Sequence, residues 1–319
     1  MISQAFHFDS LVWDWPIAIY LFLVGISAGL SMIAVVLKQR IPVDGFNRNG
    51  VLTTTAILAP VTVVVGLLIL IFHLTKPLAF WNLLIFYNPT SIMSMGVILF
   101  QLYLIVLFIW LAINYKTELE NLIDNRLKQF RSLKPLLDKF YAIEKELGYL
   151  LLVLAMMLGA YTGFLLSALK SYPMLNNPVL PILFLVSALS SGIAIATICS
   201  MLFFKESLHV PSVHFLHRLE KPVIYTEIFI LIVFFSGLWL GDGQKMISVS
   251  TAIGGGFWAQ VFWFGIVGIG LILPLLINLF VFSKVKAQRG LALLLACFSL
   301  CGVLLLRFFI LYAGQMTLA

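Results

Sequence analysis

The residues best suited to chemistry gather where a long apolar run gives out. Phe72-His73-Leu74-Thr75-Lys76-Pro77-Leu78-Ala79-Phe80-Trp81-Asn82 leads on to Asn88-Pro89-Thr90-Ser91-Ile92-Met93-Ser94-Met95-Gly96, where the next apolar run begins. A histidine, a lysine, aromatic rings and amides at a membrane surface are more than a plain connector needs. Imidazole titrates near neutral pH, which makes His73 a candidate proton acceptor beside a bound ligand. The plainer reading is an interfacial histidine hydrogen-bonded to backbone.

Other candidates lie at comparable depth. Asp14 stands in Trp13-Asp14-Trp15-Pro16, with a proline suited to the first turn of a helix. Tyr20 follows in the same apolar run. Tyr161 sits in Gly159-Ala160-Tyr161-Thr162-Gly163, where the glycines permit close helix approach and are expected to leave the phenol room to enter a cavity. Arg307 lies near the end of the last apolar run, ahead of Tyr312, Gly314 and Gln315. It is expected to face the bundle or to snorkel outward. Glu227, by contrast, lies about five residues inside the cytoplasmic end of the sixth apolar run, an intramembrane acid that either reaches the interface, pairs with Lys221, or belongs to a proton route. Apolar walls with a few proton-exchanging groups suit a quinone headgroup.

The elements that hold these groups are set by composition. Hydrophobic residues make up 62% of the sequence and charged residues 10%, against about 25% charged in soluble domains. Runs long enough to cross roughly 30 Å of hydrocarbon recur throughout. The sequence therefore reads as an all-α polytopic membrane protein, and continuous apolar runs exclude a β-barrel. Eight spans are expected, over residues 16–37, 52–74, 91–113, 148–169, 179–204, 222–240, 256–282 and 290–311. No Lys or Arg precedes the first span, so a cleaved signal peptide is not expected.

Charge sets the orientation. Of the 20 Lys and Arg residues, only Arg307 falls within a span, and only Lys76, Lys170 and Lys245 lie on one face. The remainder lie on the opposite face, which is cytoplasmic by the positive-inside rule. Both termini are then periplasmic in a Gram-negative cell. The net charge of +7 follows from this topology and calls for no nucleic acid. The long connection 114–147 carries Leu119, Leu122, Ile123, Leu127, Phe130, Leu133, Leu137 and Phe140 at helical spacing, which predicts an amphipathic helix on the cytoplasmic leaflet.

Redox groups of the protein's own are not expected. A haem in a helix bundle usually takes two axial side chains, and His73 is alone near a span. Cys199, Cys297 and Cys301 offer too few ligands for an iron–sulfur cluster. His209, His214 and His217, beside Glu206 and Glu220, form a weak metal candidate. Gly254-Gly255-Gly256 reads as a turn.

The sequence resembles the NrfD/polysulfide reductase membrane subunit family. The carrying residues are 6–25, His73-Leu74-Thr75-Lys76-Pro77 with Phe80-Trp81-Asn82, Asn88-Pro89-Thr90-Ser91 with Met93-Ser94 and Gly96, Tyr161-Thr162-Gly163, and Arg307 with Tyr312-Ala313-Gly314-Gln315. It looks most like the branch serving formate-dependent nitrite reduction.

The resemblance implies two bundles of four helices, residues 1–169 and 170–319, with a quinone site on the outer side of the first. It implies a quinol-oxidising subunit of the inner membrane, with menaquinol as substrate. Electrons would pass to a periplasmic ferredoxin-like iron–sulfur subunit and then through c-type cytochromes. Positions matching the family's quinone contacts are Ile17, Tyr20 and Tyr161. Ile17 has no polar side chain and Tyr20 replaces a histidine, which shifts weight to His73 and Arg307. His73, Asp14 and Glu227 are the proton-handling candidates. The competing readings are the membrane quinone subunit of a polysulfide or other molybdoenzyme-type reductase, a proton-coupled secondary transporter, and a purely structural anchor for an electron-transfer partner.

Overall fold

A computed structural model of the protein describes residues 5–41, 49–74, 76–125, 134–280 and 289–318. Among them no strand occurs, and eight helices are long and apolar enough to cross a membrane. They are α1 (Trp15–Arg40), α2 (Gly50–Phe72), α3 (Ile92–Asn114), α4 (Glu144–Ser167), α5 (Leu180–Leu202), α6 (Pro211–Trp239), α7 (Phe257–Leu279) and α8 (Arg289–Gln315). At about 1.5 Å per residue, α1 is roughly 39 Å long and overruns the hydrocarbon. Lys38 and Arg40 in its last turn reach the polar layer.

The apolar stretch of α1 is 78% buried within the protein, against 22% for α2. α1 is thus the axis and α2 is largely given to lipid. α1 packs on α2, α4, α5 and α8, while α5 packs on α1, α4, α6 and α8. Lipid tails supply no hydrophobic drive between helices, so close packing depends on small side chains. A Cβ placed on Gly192 of α5 would lie 2.7 Å from the Gly29 Cα of α1. Ala28, Ser31, Ala188 and Ser191 are fully buried or nearly so around that contact. Farther out, Gly163 of α4 lies against the Pro181 backbone of α5, so a Cβ there would sit 2.5 Å from the Pro181 Cα. The expected close approach at the Tyr161 segment is therefore present. Buried hydroxyls tie α1 to α3, with Tyr103 Oη 2.8 Å from Ser27 Oγ and 2.7 Å from Ser31 Oγ.

Three elements differ from the sequence expectation. The connection 114–147 contains two described helices, Lys116–Asn125 and Lys134–Ala142, where one was expected. Lys134 pairs with Asp124 at 2.7 Å and Lys116 pairs with Asp138, so the two helices fold back on each other. Leu127, Phe130 and Leu133 lie outside the described residues. α6 begins at Pro211, eleven residues before the expected 222, because a polar helical stretch carries no apolar signal. The outer connection after α6 contains a further helix, Gly243–Ile253. It ends at the glycine triplet, where Gly256 has φ +88°, a conformation that favours glycine. Within α7, residues Val261–Ile272 are π-helical.

The Gly29–Gly192 contact leaves no room for even one added carbon. Gly192→Ala is expected to lower stability by about 1–3 kcal/mol, read as an earlier thermal loss of the monodisperse peak in detergent. Gly237→Ala, where a Cβ meets no heavy atom within 4 Å, is the control and should lose nothing.

Candidate functional site

The site expected on the outer side begins with a strap, residues 5–14, laid across the ends of α7 and α8. Trp258 Nε1 donates to the Ala5 carbonyl at 2.9 Å. The Phe6 ring packs edge-on to Trp258 at 5.3 Å and to Tyr312 at 5.1 Å. The strap then meets Gln315, which is completely buried. Gln315 Oε1 accepts from the Val12 and Trp13 amides, both at 2.9 Å, and its Nε2 donates to the Trp13 carbonyl at 2.8 Å. Ser10 Oγ donates to the Gln315 carbonyl at 2.6 Å, and Tyr172 Oη donates to the Ser10 carbonyl at 2.6 Å. Non-helical backbone at a membrane surface must find partners, and here one amide side chain supplies most of them.

The strap delivers Asp14, the N-cap of α1, to His73, the C-cap of α2. Asp14 Oδ1 lies 3.4 Å from His73 Nε2, and Tyr312 stands beside Asp14 and Trp15. The backbone N–H of His73 closes the end of α2 on Ile69. Its ring, however, faces a carboxylate and not backbone, so the plainer reading of His73 does not hold. Thr75, in the same motif, lies outside the described residues.

Six residues below Asp14, roughly 9 Å along the helix, Tyr20 is fully buried and Ile17 nearly so. The Tyr20 ring lies 6.2 Å from Phe100, and Phe100 meets Tyr161 edge-on at 5.9 Å. The room for the Tyr161 phenol comes from Gly96 of α3, since a Cβ there would collide with the phenol oxygen. This corrects the expectation that Gly159 and Gly163 make that room. Those two face α5.

Arg307 and Glu227 form a separate group coupled electrostatically, in which Arg307 Nε and Nη1 have no hydrogen-bond partner among the described residues. Arg307 is fully buried and Glu227 is 3% exposed, so neither reaches an interface and Lys221 is not the partner of Glu227. The Arg307 guanidinium stacks 3.7 Å over the Phe184 ring, and Nη2 donates to the Phe184 carbonyl at 3.2 Å. Glu227 accepts from Ser190 and acts electrostatically on Arg307. The expected single cluster at the outer rim is thus divided, with Arg307 deeper and turned toward α5 and α6. Two small cavities lie near these residues, about 10 and 20 Å³, each with room for about one water, and only the smaller touches Glu227. One is lined by Glu227 and Ser299, and the other runs from Ser299 and Ser190 to His217 and Glu220.

The weak metal candidate dissolves into three settings. His217 Nδ1 pairs with Glu220 Oε2 at 3.2 Å. Glu206 accepts from the Gly50 amide at 2.7 Å, and burial pushes its carboxyl up. His209 and His214 line a cleft with Arg40 and Arg218. Among the described residues no group of three or more His, Cys, Asp and Glu is placed to hold a metal ion. Cys297 and Cys301 are exposed on the helix surface, while Cys199 is buried.

Sequence reasoning missed the roles of Gln315, Phe100, Gly96, Ser190 and Phe184. For Gln315 the available signal was an amide closing the last apolar run. Nothing local points from it to Val12, 303 residues away.

Among the described residues, eight helices long and apolar enough to cross a membrane define a multi-pass integral membrane protein. The family model described as polysulphide reductase, NrfD matches residues 3–319, and the chain belongs to that family. It is 52% identical to Protein NrfD of Escherichia coli over 99% of both proteins. It is 45% identical to a Protein NrfD homolog of Haemophilus influenzae over 98% of both. The C subunit of the polysulfide reductase of Wolinella succinogenes is 42% identical, over 97% of this protein and 96% of that one.

Gln315→Leu keeps the bulk but removes the polar partners of the strap. Unpaired buried groups cost about 1–3 kcal/mol each. Faster hydrogen–deuterium exchange at residues 10–14 is expected, with protection in α1 and α5 retained.

Proposed function

We propose that this protein is the quinol-oxidising membrane subunit of a respiratory nitrite reductase pathway, formate-dependent and yielding ammonia. Menaquinol is the substrate. The two electrons pass to a periplasmic ferredoxin-like iron–sulfur subunit and on through c-type cytochromes. The observation that carries the reading is the His73–Asp14 pair, held at 3.4 Å just above the Tyr20–Phe100–Tyr161 array, in a member of this family.

Oxidation of a quinol releases two electrons and two protons. His73 accepts protons at the headgroup, and Asp14, partly exposed, passes them outward. Tyr20 and Tyr161 orient the headgroup by their hydroxyls, and Ile17 supplies apolar wall. The aromatic lining and the outer proton acceptor fit such a substrate. Arg307, drawn to Glu227 and the Phe184 carbonyl, acts on the acid instead of on the headgroup. Glu227, with the small cavities leading to His217 and Glu220, is the candidate link to the cytoplasmic side.

In this reading the protein is two four-helix bundles, residues 1–169 and 170–319, joined along α1 and α5, with both termini periplasmic. The lopsided distribution of Lys and Arg supports that orientation. The connection after α2 exposes Leu78, Trp81, Ile85 and Phe86, and serves as part of the platform for the iron–sulfur subunit. The 42% relative, a polysulfide reductase subunit by name, favours a second reading, in which the same quinone site feeds a polysulfide or other reductase through different soluble partners.

His73→Ala is expected to lower quinol-dependent nitrite reduction by about 100-fold or more, the usual scale for losing a general base. Full activity in that variant would sink the proton role. Gly96→Ala pushes a methyl onto the Tyr161 phenol and is expected to raise the KM for quinol. If both electrons leave on the outer side, turnover builds no membrane potential. A potential that vanishes in Glu227→Gln would instead assign Glu227 to proton transfer across the membrane.

A further inference from the structure

The histidine pair left over from the metal candidate lies in a cleft of about 560 Å³ on the basic face of the protein. Arg40, the last residue of α1, and Ile41 form one wall. His209, His214, Phe215 and Arg218, at and just before the start of α6, form the other. Among the described residues, no carboxylate lines it. Arg40, Arg218, His209 and His214 are all exposed, within reach of a ligand from solvent or lipid.

The chemistry of this set excludes a cation and favours an anion. Two guanidiniums stay charged at any physiological pH and repel a metal ion that two imidazoles alone would attract. A guanidinium fork matches the oxygens of a phosphate. The backbone N–H groups in the first turn of α6, at the positive end of the helix dipole, add to the same attraction.

Depth then decides what carries the phosphate. The apolar run of α6 begins about at Pro222, one helical turn beyond Arg218, and that of α1 ends at Leu37, just before Arg40. The cleft therefore opens in the headgroup layer, with Ile41 and Phe215 offering apolar surface beside the charges. A neighbouring cleft of about 540 Å³, between the inner ends of α1, α3 and α4, shares Arg40. There Lys38 is already engaged by Glu144 and Asn114, and the Glu144 carboxylate among the lining residues offsets part of the positive charge.

We propose that this cleft binds the phosphodiester headgroup of an anionic phospholipid of the cytoplasmic leaflet. It clamps the inner ends of α1 and α6 together through Arg40 and Arg218. The inference is independent of the quinol reading.

The full-length protein, purified in a neutral detergent and stripped of lipid, is titrated with phosphatidylglycerol or phosphatidylcholine and read by native mass spectrometry. The wild type should retain phosphatidylglycerol over phosphatidylcholine. Arg40→Gln with Arg218→Gln should weaken that retention by about tenfold or more, at about 1 kcal/mol per basic residue at an anionic surface. His209→Asn with His214→Asn provides a gentler second variant, expected to weaken it less. Lys145→Gln, in the neighbouring cleft, should leave it unchanged. Inorganic phosphate at matched concentration should fail to displace the lipid. Equal retention of the two lipids by the wild type would overturn the proposal, as would an undiminished preference in both variants. Displacement by inorganic phosphate alone would reassign the cleft to a free phosphate group and overturn its lipid part.

Discussion

The outer site depends on one buried amide. The strap that brings Asp14 to His73 has no helix or sheet in which to satisfy its backbone, and it lies where the last turn of α8 meets water. Gln315 answers two amides and one carbonyl of that strap with a single side chain, and Ser10 and Tyr172 complete the anchorage. Aromatic packing of Phe6 on Trp258 and Tyr312 supplies contact area. The hydrogen bonds supply register, which fixes which residue of the strap faces α2.

Below the strap, the same economy of space recurs at the helix axis. Small residues let α1 and α5 touch along their backbones, and residues of both helices belong to one core cluster. Larger and polar side chains are then displaced to either side of that seam. Tyr20, Phe100 and Tyr161 fall on one side, with Arg307, Glu227 and Ser190 on the other. The Arg307 guanidinium and the Glu227 carboxyl act on each other electrostatically. The tilted and edge-on packing of Tyr20, Phe100 and Tyr161 against Gly96 is contact between rings and backbone instead. The two polar centres of this protein are therefore physically different in kind.

Much of this is legible in the sequence, and for definable reasons. The eight spans follow from hydropathy, since long apolar runs in a bilayer have one stable conformation. His73, Asp14, Tyr20, Tyr161, Arg307 and Glu227 stand out because polar groups are costly in a membrane and therefore sparse. What composition does not carry is direction. Height along α8 groups Arg307 with the outer residues, but its side chain turns toward Phe184. The start of α6 is hidden because its first eleven residues are helical without being apolar. Sequence proximity credits the space around Tyr161 to its own glycines, because Gly96 becomes its neighbour only when α3 folds against α4.

The strap also orders events in time. Asp14 is made near the start of synthesis and His73 soon after, yet the residue that registers them belongs to the last turn of the last helix. Until α8 has crossed the bilayer, the strap has no partner for its amides and the carboxylate has no fixed address. The site is closed by the final step of insertion, so an incompletely inserted polypeptide holds Asp14 and His73 without bringing them together.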